Sequence, residues 1–474
     1  MDICEAVSSI RNKNKINVCG YLMVKDKKRN NSYYWYCEKR DQLRCNERAT
    51  TMFTKDQHHL VKFTDHNHAA DASRVIVVKS LNLLKERAQQ TNDQPVQVIQ
   101  SVLAGSSQEI GSHLPSRDAL RQAVKRVRRA NLPAEPQSFA NLIIPDNLQK
   151  TLSGSEFLIR DLNIGDEKVL IFTTFNNVNY LSQSSFWIMD GTFKTVPTIF
   201  KQLYTIHGSV GGSENSQIMP LVFSLMSSKS EECYRALFQN LINFGDEHNI
   251  DLQPQYVLTD FEKASINAVH IELHGVQNKG CHFHLSQSVY CKVQAFGLAS
   301  QYASDENISL FVRHIPALAF LPCDNIPAAF DELRSNMPPD MQPEVNELLD
   351  WFEIYYVHGK VIRRLRNGNV VRSEPLFPPS LWSVTENIEY TFPRTQNSVE
   401  AWHRRWETLV GRAHVGLFKI IKELQSEQHQ IEIKVESILR GNPRPKQKKH
   451  DREHENRIQV VYNDQENRPL LDFL

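Results

Sequence analysis

Residues 186–193 read FWIMDGTF, an apolar run that ends in the carboxylate Asp190 and a glycine. Short apolar runs of this kind are typical of buried strands. A second such run, Tyr256-Val257-Leu258, ends close to Asp260, and the run Ile218 to Met226 has the same character. Helical patterns over residues 231–244 and 262–273 alternate with these strands, which predicts an α/β sheet.

The composition indicates a folded, multidomain chain. Of its 474 residues 41% are hydrophobic and 23% are charged, which supports a sizeable core and roughly two to four domains. The chain has no run of about 18 apolar residues, so we expect no membrane span. The opening residues lack the basic and apolar segments of a signal peptide. Eight cysteines are too few for a disulfide scaffold, so we expect a reducing compartment.

Three carboxylates stand at positions suited to metal chemistry, although each also has a simple structural interpretation. Asp190-Gly191 is a common tight-turn dipeptide. Thr259-Asp260-Phe261-Glu262 has the form of a helix capping box, and Asn397-Ser398-Val399-Glu400 that of a helix N-cap with an acidic partner. Taken together, two acids at strand ends and one on a helix could hold two divalent ions about 4 Å apart. Oxygen ligands favour Mg²⁺ or Mn²⁺.

Four residues near the N-terminus form a second constellation: Cys37, Cys45, His66 and His68. Two thiolates and two imidazoles complete a tetrahedral zinc site with no position left open for catalysis. A strand-rich unit of about 50 residues buries little apolar surface, so a structural metal would help it fold. The spacing differs from that of the ordinary two-Cys, two-His finger, and the four residues alone could also be unrelated. We expect Cys19, His58 and His59 to pack or face solvent.

The aromatic context of these residues resembles the FLYWCH zinc finger. The resemblance covers residues 16–68 and rests on Tyr21-Leu22, on the segment YWYC at 34–37, on Cys45 and on DHNH at 65–68. It implies structural Zn²⁺ bound by Cys37, Cys45, His66 and His68, in a module that contacts DNA or protein.

The carboxylate segments resemble the Mutator-like element (MULE) transposase domain over residues 183–410. The matching segments are FWIMDGTF at 186–193, LTDFEKA at 258–264, GCHFHL at 280–285 and NSVEAWH at 397–403. The resemblance implies a ribonuclease H-like core with a helical insertion before the last acid. It also implies an acid triad of Asp190, Asp260 and Glu400, and a Cys-x-x-His motif, Cys281 and His284, near the active site. Competitors for the third acid are Glu262, Glu386, Glu389 and Glu407.

Positive charge is concentrated in two segments. Residues 11–48 hold eleven Lys/Arg against four Asp/Glu, a local charge of +7, and residues 117–129 hold six against one, a local charge of +5. Clustered cations suit phosphate binding, although a single basic run is often only a solvated face. The residues that we expect to contact DNA are Lys25, Lys27, Lys28, Arg29, Arg40, Arg44, Arg121, Lys125, Arg126, Arg128 and Arg129.

The expected fold is a small β-rich zinc finger followed by an α/β ribonuclease H-like core with a helical insertion. The expected domains are a finger at 11–70, a helical basic region at 71–150, the first part of the core at 155–300, the insertion at 300–395, C-terminal core helices at 396–440, and a polar, disordered tail at 441–474. Helices are predicted over 75–89, 116–129, 399–409 and 417–438, with a loop around Gly105-Ser106-Ser107.

The leading hypothesis is a DNA transposase that binds the terminal repeats of its element and cleaves and joins double-stranded DNA, as a homo-oligomer. One alternative is a domesticated DNA-binding protein that keeps the fold but not the chemistry. Another is a FLYWCH module that contacts proteins on chromatin. The basic run from Arg444 to Arg452 predicts nuclear localisation, although such runs are often solvated tails.

Overall fold

The computed structural model describes residues 3–7, 15–91, 93–104, 113–130, 133–212, 214–338, 344–366, 368–411, 415–444 and 449–474. The chain divides into two compact units, residues 1–134 and 135–474. It is therefore multidomain, with a small β-rich N-terminal domain and a C-terminal region rich in helices. No helix in the described part of the chain is long and apolar enough to cross a membrane.

The first unit begins with a closed antiparallel barrel. Strand β1 pairs with both β2 and β6, so the barrel leaves no free strand edge. The alternation of residues 33–37 buries Trp35 and Cys37 inside it, and the Trp35 indole donates to Thr51 Oγ1 at 2.8 Å. The barrel strands and the short helix between β4 and β5 are β1 (Ile3–Val7), β2 (Lys15–Val18), β3 (Tyr21–Arg29), β4 (Ser32–Cys37), α1 (Arg40–Leu43), β5 (Arg48–Thr54) and β6 (Gln57–Phe63).

Three helices complete the first unit: α2 (Ala72–Gln90), α3 (Pro95–Ala104) and α4 (Arg117–Ala130). They share an apolar core that includes Leu84, Val98 and Leu120. Helix α3 lies between the helices predicted over 75–89 and 116–129 and was not predicted from the sequence. Its buried residues Val98, Ile99 and Val102 recur at helical spacing, too short a pattern to stand out among polar neighbours. The predicted loop residues Gly105-Ser106-Ser107 lie outside the described residues.

The second unit is built on a mixed seven-stranded sheet in the order β13-β12-β9-β10-β11-β8-β7. Strand β9 pairs antiparallel with β10 and parallel with β12, which in turn pairs parallel with β13. The carboxyl ends of β9, β12 and β13 therefore meet at one edge. The strands are β7 (Leu158–Ile164), β8 (Glu167–Phe172), β9 (Phe186–Thr192), β10 (Gln202–Val210), β11 (Gln217–Met226), β12 (Tyr256–Thr259) and β13 (Gln277–Gly280).

The remaining elements of this unit are mostly helical. Those that follow the sheet strands are α5 (Phe175–Ser182), α6 (Glu231–Glu247), α7 (Lys263–Glu272) and α8 (His282–Ala295). The following segment holds α9 (Ala299–Ser304), α10 (Glu306–Ala317), α11 (Ile326–Ser335), α12 (Glu344–Phe352), a π-helical turn (Glu353–Val357), the hairpin β14 (Val361–Arg364) and β15 (Val370–Arg372), α13 (Pro379–Trp382) and α14 (Thr385–Glu389). The C-terminal helices are α15 (Asn397–Val410), α16 (Leu417–Leu439), α17 (Lys449–Asn463) and α18 (Leu470–Phe473). Short 3₁₀ turns cover Phe139–Asn141, Asp146–Leu148, Leu318–Phe320 and Gln465–Asn467.

Two segments differ from their sequence-based description. The segment 300–395 is mainly helical, with a core of its own around Phe330, Phe352 and Trp382, but it also contains the hairpin β14–β15. The tail beyond residue 441, predicted to be disordered, contains α17 and α18. The tail is ordered because a few of its apolar side chains join the core around Phe330, Phe352 and Trp382. Phe473 is buried in that core, and Leu470 packs against it.

The acid-bearing strand depends on buried packing. Ile188 is fully buried and clusters with Leu258, Cys281 and Val399, which belong to three other segments of the unit. We expect Ile188→Ala to lower the free energy of unfolding of the second unit by about 2–5 kcal/mol, since it leaves a cavity between these segments. Urea unfolding followed by tryptophan fluorescence measures the change. Ile143→Ala, at a residue that is 80% exposed, is the matched control, and equal effects of the two changes would contradict the expectation.

Candidate functional site

Cys37, Cys45, His66 and His68 converge in the first unit, where their ligand atoms all lie within 4.8 Å of one another. Cys37 Sγ is 3.3 Å from His68 Nε2, Cys45 Sγ is 3.2 Å from His66 Nδ1, and the two ring nitrogens are 3.4 Å apart. Zinc–ligand bonds of about 2.3 Å to sulfur and 2.1 Å to nitrogen place tetrahedral donors about 3.4–3.8 Å apart. The group therefore fits zinc.

Local contacts orient the two imidazoles. His68 Nδ1 lies 3.0 Å from the Ala69 carbonyl, so a proton on that nitrogen leaves Nε2 free for a metal. The Tyr21 ring stacks on His66 with centroids 3.9 Å apart. Burial raises the pKa of the Cys37 thiol to about 11 and lowers the pKa of His66. A divalent cation would replace the thiol protons and balance the buried donors.

The basic residues of the barrel lie beside tyrosines. Lys25 and Lys28 lie over the Tyr33 ring, at 4.9 and 5.2 Å from its centroid. Lys27 lies 5.4 Å from the Tyr34 centroid. Ammonium groups held over aromatic faces form an exposed surface on which phosphates and bases could be bound. Arg40 lies 5.7 Å from the Tyr36 centroid, and Arg29 and Arg44 are exposed.

The basic helix α4 divides into exposed and structural cations. Lys125 and Arg126 are exposed, and Arg121 is ion-paired with Asp118 at 2.9 Å. The Arg128 guanidinium instead donates to the carbonyls of residues 88, 91 and 93, at 2.8–3.0 Å, where α2 ends. These bonds satisfy backbone carbonyls at and just beyond the end of α2, so Arg128 joins α4 to α2. The side chain of Arg129 lies outside the described residues.

A second group of metal-ligating atoms lies at the edge of the large sheet. Asp190 in β9 and Glu400 and His403 in α15 have ligand atoms within 4.8 Å of one another. His403 Nδ1 is 3.6 Å from Asp190 Oδ2, and His403 Nε2 is buried without a hydrogen-bond partner among the described residues. An open cleft adjoins the group, and its lining includes Lys194 and Arg404. Two carboxylates and an imidazole could hold a divalent cation such as Mn²⁺.

Asp260 contributes charge to this group without entering it. It follows β12, and its charge helps to raise the pKa of Asp190 well above the ordinary value, although burial is the larger cause. Burial, followed by the charge of Glu262, also raises the pKa of Asp260. Carboxylates that repel one another in a buried site are stabilised in their ionised form by a bound cation.

The simple structural interpretations of the three acids hold only in part, because Asp260 Oδ1 accepts from the Glu262 backbone N–H at 3.3 Å just before α7. Asp190 and Gly191 lie within β9 and form no turn. The Glu262 side chain makes no capping bond and instead binds Lys229 Nζ at 2.6 Å. Helix α15 has Gln396 at its N-cap, also without a side-chain cap.

The competing glutamates make other contacts, although Glu407 lines the same cleft as Glu400 and His403. Glu407 pairs with Lys194, and Glu386 pairs with Lys279, each at 2.7 Å. Glu389 accepts from the Tyr462 hydroxyl at 3.5 Å. Of the five glutamates considered, Glu400 alone belongs to the metal-ligating groups found among the described residues.

The two residues of the Cys-x-x-His motif have different surroundings: Cys281 is packed in the interior, whereas His284 lies beside the acid group. Cys281 is the N-cap residue of α8, and its buried sulfur accepts from the Gln396 backbone N–H at 3.4 Å. It belongs to neither metal-ligating group found in the described part of the chain. His284 Nε2 lies 3.9 Å from Glu400 Oε1, so this imidazole adjoins the acid group.

Gln396 is a site residue that the sequence did not indicate. Its fully buried side-chain amide donates to the Met189 carbonyl at 2.9 Å and to the Leu258 carbonyl at 3.3 Å. It thereby fixes the start of α15 to both acid-bearing strands. His403 was also missed as a ligand, although it is the last residue of the NSVEAWH segment and its spacing of three from Glu400 places both on one helix face.

Comparison with known families assigns a domain to each unit. Residues 6–68 match the FLYWCH zinc finger domain, and residues 186–288 match the MULE transposase domain. Both resemblances inferred from the sequence are thus confirmed. The first match contains all four Cys/His ligands, and the second contains Asp190 and Asp260. No curated protein matches the chain. Together the two domains support a transposase-related DNA-binding protein.

The Cys/His group predicts that the protein binds zinc and that substitution of one ligand abolishes the binding. We expect the full-length chain to carry about one zinc in this group and Cys45→Ser to lose it, because three ligands bind zinc far more weakly than four. Elemental analysis of purified protein measures the content. Cys19→Ser changes an exposed cysteine outside the group and should keep the metal. Wild type without zinc, or Cys45→Ser with undiminished zinc, would refute the assignment.

The raised pKa of Asp190 predicts that Asn at this position stabilises the metal-free fold. Because the folded pKa lies above the unfolded value of about 3.9, stability falls as the pH rises through this interval, and the penalty persists above it. We therefore expect Asp190→Asn to raise the Tm in EDTA at neutral pH, with a smaller gain near about pH 4. Thermal unfolding at several pH values tests this, with exposed Asp251→Asn as control. A neutral-pH Tm below that of wild type would argue against it.

Proposed function

We propose that this chain is a DNA transposase that binds the terminal repeats of its element through the zinc finger and cleaves and joins DNA by two-metal phosphodiester chemistry. The observation that carries the proposal is the convergence of Asp190, Glu400 and His403, within 4.8 Å of one another, beside an open cleft. Asp260 adds its charge to the same group. The match to the MULE transposase domain supports the same chemistry.

The strand order supports a ribonuclease H-like core as part of this proposal. Three antiparallel strands, β9, β10 and β11, are flanked by the parallel strands β12 and β13. This arrangement puts Asp190, in β9, next to Asp260, which follows the parallel neighbour β12. The hairpin β7–β8 extends the sheet at its far edge.

The side chains of the site divide into metal donors and phosphate contacts. Divalent cations bound there would lower the pKa of an attacking water or 3′-hydroxyl and stabilise the leaving oxygen. Asp190 and Glu400 would supply the anionic oxygens, and His403 would supply a nitrogen donor. Lys194 and Arg404 line the cleft and could hold the phosphates of the DNA strand. Mg²⁺ or Mn²⁺ suits such a donor set.

The finger would recognise the element ends while the acid site carries out the chemistry. Zinc held by the Cys/His group would keep the strand-rich fold intact, and the lysines over Tyr33 and Tyr34 would contact phosphates. The proposal includes assembly of the chain as a homo-oligomer on DNA and localisation to the nucleus. Nuclear import would use the basic run 444–452, of which residues 445–448 lie outside the described residues.

Cleavage by matched variants tests the proposal directly. We expect Asp190→Asn to lower strand cleavage with Mg²⁺ or Mn²⁺ by at least about 10²–10³-fold, because the site loses charge stabilisation of the transition state. DNA binding should persist, since the carboxylate opposes phosphate when no metal is present. A labelled duplex that bears the candidate repeats reports binding by gel shift and cleavage by product length. Asp251→Asn is the charge-matched control, and its cleavage should equal that of wild type.

The opposite variant completes the test. His66→Ala should weaken recognition of the repeats while some nonspecific nicking remains, because it removes a zinc ligand and leaves the acid site intact. A wild-type protein that binds the repeats but never cleaves them with either metal would refute present catalysis. The chain would then be interpreted as a domesticated DNA-binding protein without catalysis.

A further inference from the structure

The hairpin β14–β15 is an exposed basic ribbon in the helical segment of the second unit. Residues 359–373 contain five cations and no acid; the cations are Lys360, Arg363, Arg364, Arg366 and Arg372. Every residue of β14 is exposed. The cations that the sequence predicts to contact DNA all lie in the first unit, and the acid group uses none of the hairpin residues.

The root of the hairpin is firmly anchored. Arg372 binds the Glu353 carboxylate at 2.6 Å and the Gly359 carbonyl at 3.0 Å. Glu353 also binds Arg334 at 2.7 Å. Gly359 has φ +80°, and a Cβ there would lie 1.9 Å from the Ser373 carbonyl oxygen, so glycine is required at this position. The direction of the hairpin is therefore set by its root.

Unlike Arg372 at the root, the outer arginines of the hairpin form no ion pairs with the described residues. Arg363, Arg364 and Arg366 are exposed, and none of them has an ion-pair partner among the described residues. Arg363 is opposite Val371 and Arg364 is opposite Val370 in the ladder. Successive strand residues point to opposite faces, so the ribbon carries a free guanidinium on each face.

Apolar side chains accompany these charges. Ile362 is 65% exposed, and Val361, Leu365 and Val370 are each 37% exposed. A merely solvated surface gains nothing from four exposed aliphatic residues on so short a hairpin. Apolar side chains interleaved with arginines suit a partner that offers both anionic groups and apolar edges, as the groove of a DNA duplex does.

We propose that the hairpin β14–β15 is a second DNA-binding element of this chain, which enters a groove of duplex DNA with Arg363 and Arg364 on the phosphates of its two sides. The major groove is about 12 Å wide and admits a two-stranded ribbon. Cations on both faces match a groove flanked by two phosphate backbones, and Ile362 contacts the base edges. This rests on the proposed function only in taking DNA as the substrate, because the hairpin is distinct from the finger and the acid group.

The salt dependence of DNA binding by the full chain tests the hairpin. Each phosphate contact adds about 0.9 to the slope of log affinity against log salt. We expect the triple variant Arg363→Gln, Arg364→Gln, Arg366→Gln to lower that slope by about 2–3. Its affinity for a labelled duplex should fall by about tenfold or more at moderate salt. Fluorescence anisotropy over a salt series gives both quantities.

A charge-matched control separates local contact from net charge. The triple variant Lys150→Gln, Lys434→Gln, Arg440→Gln removes three exposed cations elsewhere on the same unit and should leave the slope unchanged. Equal losses in both triple variants would overturn the proposal. A hairpin variant that keeps the wild-type slope would also overturn the hairpin proposal. Asp190-dependent cleavage of DNA would be unaffected by that result. Wild type that binds no duplex at any salt would refute both this proposal and the proposed function.

Photo-crosslinking identifies the occupant of the hairpin. A photoreactive residue in place of Ile362, in the full chain with duplex DNA, should crosslink to DNA. Crosslinks only to a second copy of the chain or to another protein would assign the hairpin to a protein interface and refute the DNA contact. Ile362→Gln should weaken binding without changing the salt slope, because it removes an apolar contact and leaves every charge in place.

Discussion

The acid site depends on one buried side chain, Gln396, whose amide joins the start of α15 to the Met189 and Leu258 carbonyls at 2.9 and 3.3 Å. These carbonyls belong to β9, which contains Asp190, and to β12, which Asp260 follows. The bonds fix the position of the helix, and the helix in turn holds Glu400 and His403 against Asp190. Because each bond joins parts of the chain more than 100 residues apart, the site requires β9, β12 and the start of α15 to be packed together.

The same region concentrates polar groups that folding alone does not favour. Asp190 is 5% exposed, and burial together with neighbouring charge raises its pKa. Gln396 Oε1, Ser398 Oγ and His403 Nε2 are buried without hydrogen-bond partners among the described residues. A buried polar atom left unpaired costs about 1–3 kcal/mol. Several unpaired polar atoms beside β9 and α15 are typical of a functional site, where a ligand supplies the missing hydrogen-bond partners.

In the first unit the main constraint is the stability of a small barrel. Its barrel is small, and Cys37 and Cys45 are buried in the same core as Trp35. A metal bound by these two cysteines and by the histidines that follow β6 would tie the end of the barrel chain to its interior. The two units thus combine a surface of cations over tyrosines with a buried acid site, a division that suits binding by one domain and chemistry by the other.

The sequence by itself determined the two domain resemblances, the Cys/His group that fits zinc, and most of the long helices and buried strands. These signals are local: ligand order, apolar runs and helical periodicity are visible within short windows. Tertiary structure alone decided the contacts of Gln396, His403 and Arg128, since each has partners from distant segments. It also decided that Asp190 lies inside a strand, that a third helix, α3, lies between the two predicted helices of the first unit, and that an exposed hairpin interrupts the helical segment. A residue type carries its chemistry in the sequence, but its neighbours, and therefore its charge state and bonding, exist only once the chain is packed.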